Sequence, residues 1–196
     1  MSSFVRPIYD GPVTSYYVLD THDVLAETGG CWDDFAHEND APDAVNDAVI
    51  GHSLWAMIGG AEMKSFLNAV FFWCRQERVG FESLYRCDSP DEARLFRMIV
   101  ESHDNGFLWV GHRLVSSSRK PMAVVDMTQR LNGARCDMCC HYKVGDDWID
   151  PFVSPAPNDF PSRNVLCPTC KREARNGLFD QDDDRVRELF RAAGAS

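Results

Sequence analysis

Two short cysteine pairs carry the clearest chemistry in this chain: Cys136-Asp137-Met138-Cys139 and Cys167-Pro168-Thr169-Cys170. Two intervening residues let one tight turn aim both thiolates at a single ion, at roughly 2.3 Å if that ion is zinc. Two such turns brought together supply four sulfurs at the corners of a tetrahedron. A closed set of four leaves no position for a substrate water, so one structural zinc on Cys136, Cys139, Cys167 and Cys170 is expected. Cys140 and His141 follow directly, and either one in place of a pair member gives an alternative ligand set. An iron–sulfur centre on the same four residues ranks lower. The second pair alone would also read as a thiol redox switch. That chemistry calls for a βαβ setting, and the flanking sequence provides none.

No other constellation rises to catalysis. The sequence contains no G-x-S-x-G, no phosphate-binding Walker loop and no G-x-G-x-x-G. Asp33-Asp34 and Asp146-Asp147 are sequence neighbours, which point apart on a helix and to opposite faces on a strand. The six histidines are scattered, without the i, i+4 partner of a helical metal site. A non-enzymatic protein is therefore expected.

The chain of 196 residues has 44% hydrophobic and 26% charged residues, the profile of one large or two small globular domains. Its net charge of −10 disfavours a phosphate backbone as partner. No apolar run reaches membrane-span length, and the first residues lack the apolar core of an export signal. A cytoplasmic location is expected, where eight cysteines stay reduced and serve metals before disulfides.

Elements must position these groups. Tyr16 to Leu19 and Val24 to Ala26 read as two short strands, with Gly29-Gly30 closing the unit. Trp32, Phe35 and Ala36 recur at helical spacing, and single-turn pieces follow around Val49 and Leu54. The strongest helix runs from Ala61 to Val79, with Met63, Phe66, Leu67, Val70, Trp73 and Cys74 on one stripe and Gly80 as its stop. Three strands come next: Phe81 to Arg86, Leu95 to Glu101 and Phe107 to Val115. Asn105-Gly106 marks the hairpin between the last two. Ser116 opens a linker. A helix follows the second cysteine pair and ends near Gly177, and the tail after Asp182 reads as a short amphipathic helix.

The first part of this pattern resembles a PAS domain. The likeness rests on Trp32 to Asn39, on Val49-Ile50-Gly51-His52-Ser53-Leu54-Trp55 before the long helix, and on Tyr85-Arg86-Cys87-Asp88-Ser89-Pro90, and it runs from about Tyr16 to Val115. It implies a sensor or interaction module, with a homodimer or a protein partner, and a small-molecule cavity between the sheet and the long helix. His52 is the one haem-ligand candidate it offers, with a capping or packing role favoured, and Cys74 and Cys87 read as packing residues.

The second part resembles a treble-clef zinc finger and, through Asp150, Asn164, Cys167 and Cys170, the cysteine-containing HNH nucleases. Pro151 stands where that family's catalytic histidine belongs, and Lys171 where a closing histidine often follows. The resemblance therefore implies a shared scaffold without nuclease activity. Nucleic-acid binding through Arg163, Lys171, Arg172 and Arg175 is the alternative.

The fold expected is α+β: a five-stranded antiparallel PAS-like sheet with flanking helices, a small treble-clef zinc module and a short C-terminal helix. The boundaries are an N-terminal extension (1–13), the PAS-like domain (14–118), a linker (119–133), the zinc module (134–179) and the C-terminal helix (180–196). The whole reads as a sensory or regulatory protein that binds a partner through the zinc module.

Overall fold

A computed structural model describes residues 13–89, 91–119, 124–125, 133–153, 156–157 and 163–179. The expected C-terminal helix, nearly all of the N-terminal extension and most of the linker lie outside these residues. Among the described residues no helix is long and apolar enough to cross a membrane.

Five strands form one antiparallel sheet: β1 (Ser15–Leu19), β2 (Leu25–Gly30), β3 (Phe81–Arg86), β4 (Glu92–Ser102) and β5 (Leu108–Arg119), in the order β2-β1-β5-β4-β3. Alternation along each strand sorts side chains to two faces. Tyr17, Leu19, Met98, Val100, Leu108 and Val110 enter the main core, whereas Val18, Ile99 and Trp109 form a separate cluster. Between β2 and β3 come α1 (Trp32–Glu38), a 3-10 turn at Pro42–Ala44, the single turns α2 (Asn46–Val49) and α3 (Leu54–Met57), and the long α4 (Ala61–Glu77). The apolar stripe of α4 joins the core through Phe66, Leu67, Val70, Phe71 and Cys74, with Val70 and Cys74 fully enclosed. Burying Phe71 alone is worth about 1.5–3 kcal/mol.

The strands run longer than their sequence signals. Gly29-Gly30 does not close β2 but belongs to it, paired with Tyr16 and Ser15. The Tyr16 ring covers Gly29 so closely that any side chain there would collide with it. Ser116 to Arg119 is not linker but the end of β5, paired with Glu92 to Leu95 past a bulge at Leu95/Phe96. Backbone pairing carries these polar residues where side-chain pattern gives no signal. Gly80 is not the helix stop either. Arg78 takes the left-handed conformation at φ 55°. An exposed bond from its guanidinium to Asp104 ties it to the β4–β5 turn.

Arg75 locks this layer together. It pairs with Asp23 at 2.7 Å and donates to the carbonyls of Gly106 and Asp20, while Trp55 donates to Asp23 at 2.9 Å. One guanidinium thus pins α4 to α3 and to the β1–β2 and β4–β5 turns.

The cysteine-rich part forms a second, small sheet from β7 (Ala134–Cys136), β8 (Tyr142–Val144), β9 (Asp147–Ile149) and β11 (Arg163–Val165). Its order is β11-β7-β8-β9, and β11 runs parallel to β7. A two-residue pair, β6 (Val124–Val125) with β10 (Ala156–Pro157), lies apart. Helix α5 (Pro168–Phe179) starts inside the second cysteine pair, with Pro168 at its first position, and runs past Gly177. Helix α5 packs on β3, β11 packs on α4, and Cys136, Met138, Leu166 and Ala174 share one core with the large sheet.

Candidate functional site

The first cysteine pair sits on a turn between β7 and β8. The Cys140 N–H donates to the Cys136 carbonyl at 2.9 Å, and Cys136 N–H to the His141 carbonyl at 2.8 Å. The second pair sits where β11 gives way to α5. The structure brings Cys136, Cys139, Cys167 and Cys170 together, with all four sulfurs within 4.8 Å of one another. Cys139 and Cys167 Sγ are 3.8 Å apart. A tetrahedron of sulfurs at ~2.3 Å from its centre has edges of about that length. All four cysteines are free thiols, as are the other four of the chain.

The surroundings favour negative sulfur. Cys167 N–H donates to Cys136 Sγ at 3.3 Å and Cys170 N–H to Cys167 Sγ at 3.4 Å, both where the helix begins and its amides lack other partners. Hydrogen bonds from Cys139 and Cys170 draw the Cys136 thiol well below its ordinary range. The same contacts with Cys136 push Cys139 up to about 12 and Cys170 higher still. The donor set fits a thiophilic divalent metal.

The neighbours of the pairs have other duties. Cys140 turns away at φ 59°, donates to the Arg86 carbonyl and accepts from Arg135 at 3.0 Å. His141 faces Asp150 at 3.8 Å instead of the sulfurs. Asp150 receives Arg86 at 2.7 Å and the backbone N–H of Phe152 at 3.0 Å. Partial burial pushes its carboxyl up, but these bonds outweigh burial and hold it below the ordinary carboxylate range. Pro151 is fully buried beside it. Asn164 is exposed and lies against Gly59-Gly60. Lys171 pairs with Glu62 at 2.8 Å, while Arg163 and Arg172 are exposed.

Three contacts fasten the cysteine-rich part to the large sheet. Glu62, in the first turn of α4, accepts from the Leu166 N–H and from Lys171, which lowers its pKa. Gly60 has φ +73° and sits where a Cβ would come within 2.8 Å of an Asp137 carboxylate oxygen, so only glycine permits this approach. Asp137 is driven up to about 6 by its burial and then by the Cys136 charge. The third contact is Arg86 at the end of β3. Its N–H donates to the Met138 carbonyl at 2.7 Å, and its guanidinium holds Asp88 and Asp150, each at 2.7 Å. Partial burial works against its charge, but the two carboxylates win and hold Arg86 firmly protonated.

A cavity of about 250 Å³ opens between the sheet and the α1 region. Tyr17, Tyr85, Phe96 and His112 floor it from the sheet, and Trp32 and Phe35 of α1 with Asn39 at its C-cap roof it. No residue of α4 lines it, so it lies under α1 and not under the long helix. The reason is packing: the aromatic and aliphatic stripe of α4 fills its own contact with the sheet. Arg94 braces the roof. It stacks over Phe35, donates to Asn39 Oδ1 at 2.7 Å and to the Cys87 carbonyl at 2.7 Å, and is itself buried.

No protein-family model matches this chain, and no curated protein matches it. Among solved structures it is similar to the PAS domain of the Cronobacter turicensis quorum-sensing receptor RpfR, in complex with C12:0. The TM-score is 0.39 at 16% identity, over 55% of this chain and all of that one. Two strands, short helices, one long helix and a three-stranded meander close here into a single five-stranded antiparallel sheet. This α+β arrangement is consistent with a PAS-like fold.

Within the PAS-like part, His52 is exposed and serves through its backbone, accepting from Leu25 N–H at 2.9 Å. It does not reach the cavity. Cys74 lies in the core, where burial pushes its thiol up to about 12. Cys87 lines the cavity. The imidazole that does line the cavity is His112, whose ring meets the Tyr85 hydroxyl at 2.8 Å. Burial depresses it to about 4, so it is neutral near pH 7. It was missed, though it alternates with Leu108 and Val110 along β5 and so faces inward by strand period alone.

Proposed function

We propose that this protein is a non-enzymatic sensor or regulator. The PAS-like part takes a small molecule in the cavity beneath α1. The cysteine-rich part is a treble-clef-like module held by one structural zinc, and it presents a stiff surface to a protein partner. Cys136, Cys139, Cys167 and Cys170 would hold the zinc, which when bound cross-links two turns distant in sequence and supplies folding energy to a segment with few large apolar side chains.

One observation carries this reading. At the end of β3, Tyr85 and Cys87 line the cavity while Arg86, between them, holds Asp150 of the cysteine-rich part. A strand sends successive side chains to opposite sides, so a shift of this segment on one side is a shift on the other. Arg94 adds a second link, joining α1 to the Cys87 carbonyl.

The test combines metal analysis with hydrogen exchange on the full chain. The purified protein should carry about one zinc per chain, and Cys167→Ser should lose it. Stripping the metal should raise exchange in β3 and α1 as well as in residues 133–153, and Arg86→Ala should confine that rise to the cysteine-rich part. Protein that is folded from 133 to 179 without any metal defeats the zinc assignment. Exchange in β3 and α1 that ignores metal removal defeats the coupling.

A further inference from the structure

The cavity's own chemistry narrows its occupant, a step that rests on the sensor reading. No lysine, arginine, aspartate or glutamate lines it. Three of its polar side chains, Trp32, Asn39 and Tyr85, are already spent on protein partners. Trp32 Nε1 donates to the Ala44 carbonyl at 2.7 Å, and Asn39 donates to the Phe35 carbonyl while accepting from Arg94. The Tyr85 hydroxyl is held protonated by burial and meets His112 Nδ1. Assigning the phenol O–H as the donor to Nδ1 leaves the ring hydrogen of a neutral imidazole on Nε2. Nothing among the described residues accepts that hydrogen. The Tyr17 hydroxyl likewise has no protein partner there, although Tyr17 is only 6% exposed.

The walls set the shape. Tyr17 and Trp32 meet edge to face at 6.0 Å, Phe35 and Phe96 edge to face at 5.9 Å, and Tyr85 and Phe96 stack at 5.6 Å. Such a box offers both ring faces and ring edges, which suits another ring. A dry cavity of about 150 Å³ is enough for benzene. The 250 Å³ here fits one substituted ring, below the roughly 300 Å³ at which drug-sized pockets begin. An ion buried in this space would find no opposite charge among the lining residues to repay its lost hydration, since Arg94 stands behind Phe35 and is spent on Asn39 and the Cys87 carbonyl.

We infer that the cavity binds an uncharged, single-ring aromatic molecule carrying one hydrogen-bond acceptor, of the aryl ketone or aryl aldehyde class, with His112 Nε2–H and the Tyr17 hydroxyl as its donors. The rings select the flat apolar body, and the two donors select the acceptor.

Four probes titrated into the zinc-loaded full chain by calorimetry test this: acetophenone, ethylbenzene, benzoate and dodecanoate. Acetophenone should bind saturably. Ethylbenzene has the same ring without the acceptor and should bind about tenfold more weakly, the effect of one or two modest hydrogen bonds. Benzoate should show no saturable heat. Tyr17→Phe should weaken acetophenone several-fold and leave ethylbenzene within about twofold. The ethylbenzene comparison in the unaltered protein stands even if that variant folds poorly. Benzoate or dodecanoate binding as well as acetophenone overturns the ligand class and leaves the sensor reading intact. Silence from all four probes overturns the class and the ligand-sensing reading together, while the zinc and exchange measurements still judge the module separately.

Discussion

The PAS-like sheet and the cysteine-rich part are stabilised in different ways. The first buries Phe71, Phe81, Leu19, Leu25 and Leu108 almost completely between a helix and a sheet. The second has strands of three residues, and its innermost buried side chains are largely its own sulfurs, Cys136, Cys140, Cys167 and Cys170. One region folds because it removes apolar area from water. The other has little apolar area of its own and shares the core of its neighbour. The contrast teaches where a perturbation should stay local and where it should spread.

The largest effect should come from the sulfurs. Cys170→Ser removes one of the four converging sulfurs, which on the proposed zinc assignment is one of four ligands to an ion of a kind that contributes apparent binding energies of about 10 kcal/mol or more in small domains. Residues 133–153 and 163–179 should lose amide protection, while β1, β4 and β5 keep theirs. A global collapse would erase the distinction between the two regions.

Phe71→Ala is the counterpart in the other region. It should cost roughly 3–5 kcal/mol, because the pocket it vacates cannot close fully. Thermal unfolding should drop for the whole chain at unchanged zinc content. Loss of metal in this variant would mean that the cysteine-rich part depends on the sheet more than its own ligands allow.

A smaller effect sharpens the cavity end of the comparison. His112 has a folded-state pKa near 4 against an ordinary 6.5. Below about 6.5 the unfolded chain binds the proton and the folded chain does not. Stability is therefore complete above that pH and declines as pH falls toward 4, by up to about 3 kcal/mol. In His112→Phe, denaturant midpoints measured from pH 7 to pH 4 should fall less steeply than in the unaltered protein. Equal slopes would show that His112 is not held neutral.

The smallest effect belongs to the exposed side of the junction. Glu62 and Lys171 are 38% and 51% exposed, and surface pairs of this kind contribute under about 1 kcal/mol. Lys171→Ala should barely move the unfolding midpoint. Glu62→Gln should cost slightly more, since Glu62 also accepts the Leu166 N–H at 2.6 Å. If both variants detach the module, the junction rests on this pair and not on Arg86.

The elements were legible where a local pattern repeats. The 3.6-residue stripe of α4, the alternation in β4 and β5, and the Asn105-Gly106 turn are read within a few residues of themselves. Polar strand ends were not, because Ser116 to Arg119 owe their conformation to partners on β4. The helix stop at Arg78 was also hidden, since glycine is the usual choice and the next one sits two residues on. His112 was readable in principle from its register. Arg86 with Asp150 was not, because the pair is separated by 64 residues and neither has a local signature.

By itself the sequence determined the two cysteine turns, the long helix and the strand pattern of a PAS-like sheet. These follow from covalent spacing and short-range periodicity, which any segment carries with it. Only the tertiary structure decided that the four sulfurs converge, that the cysteine-rich part shares the sheet's core, and that the cavity lies under α1. Those outcomes depend on which surfaces fill each other's space, and packing is settled between segments far apart in the chain.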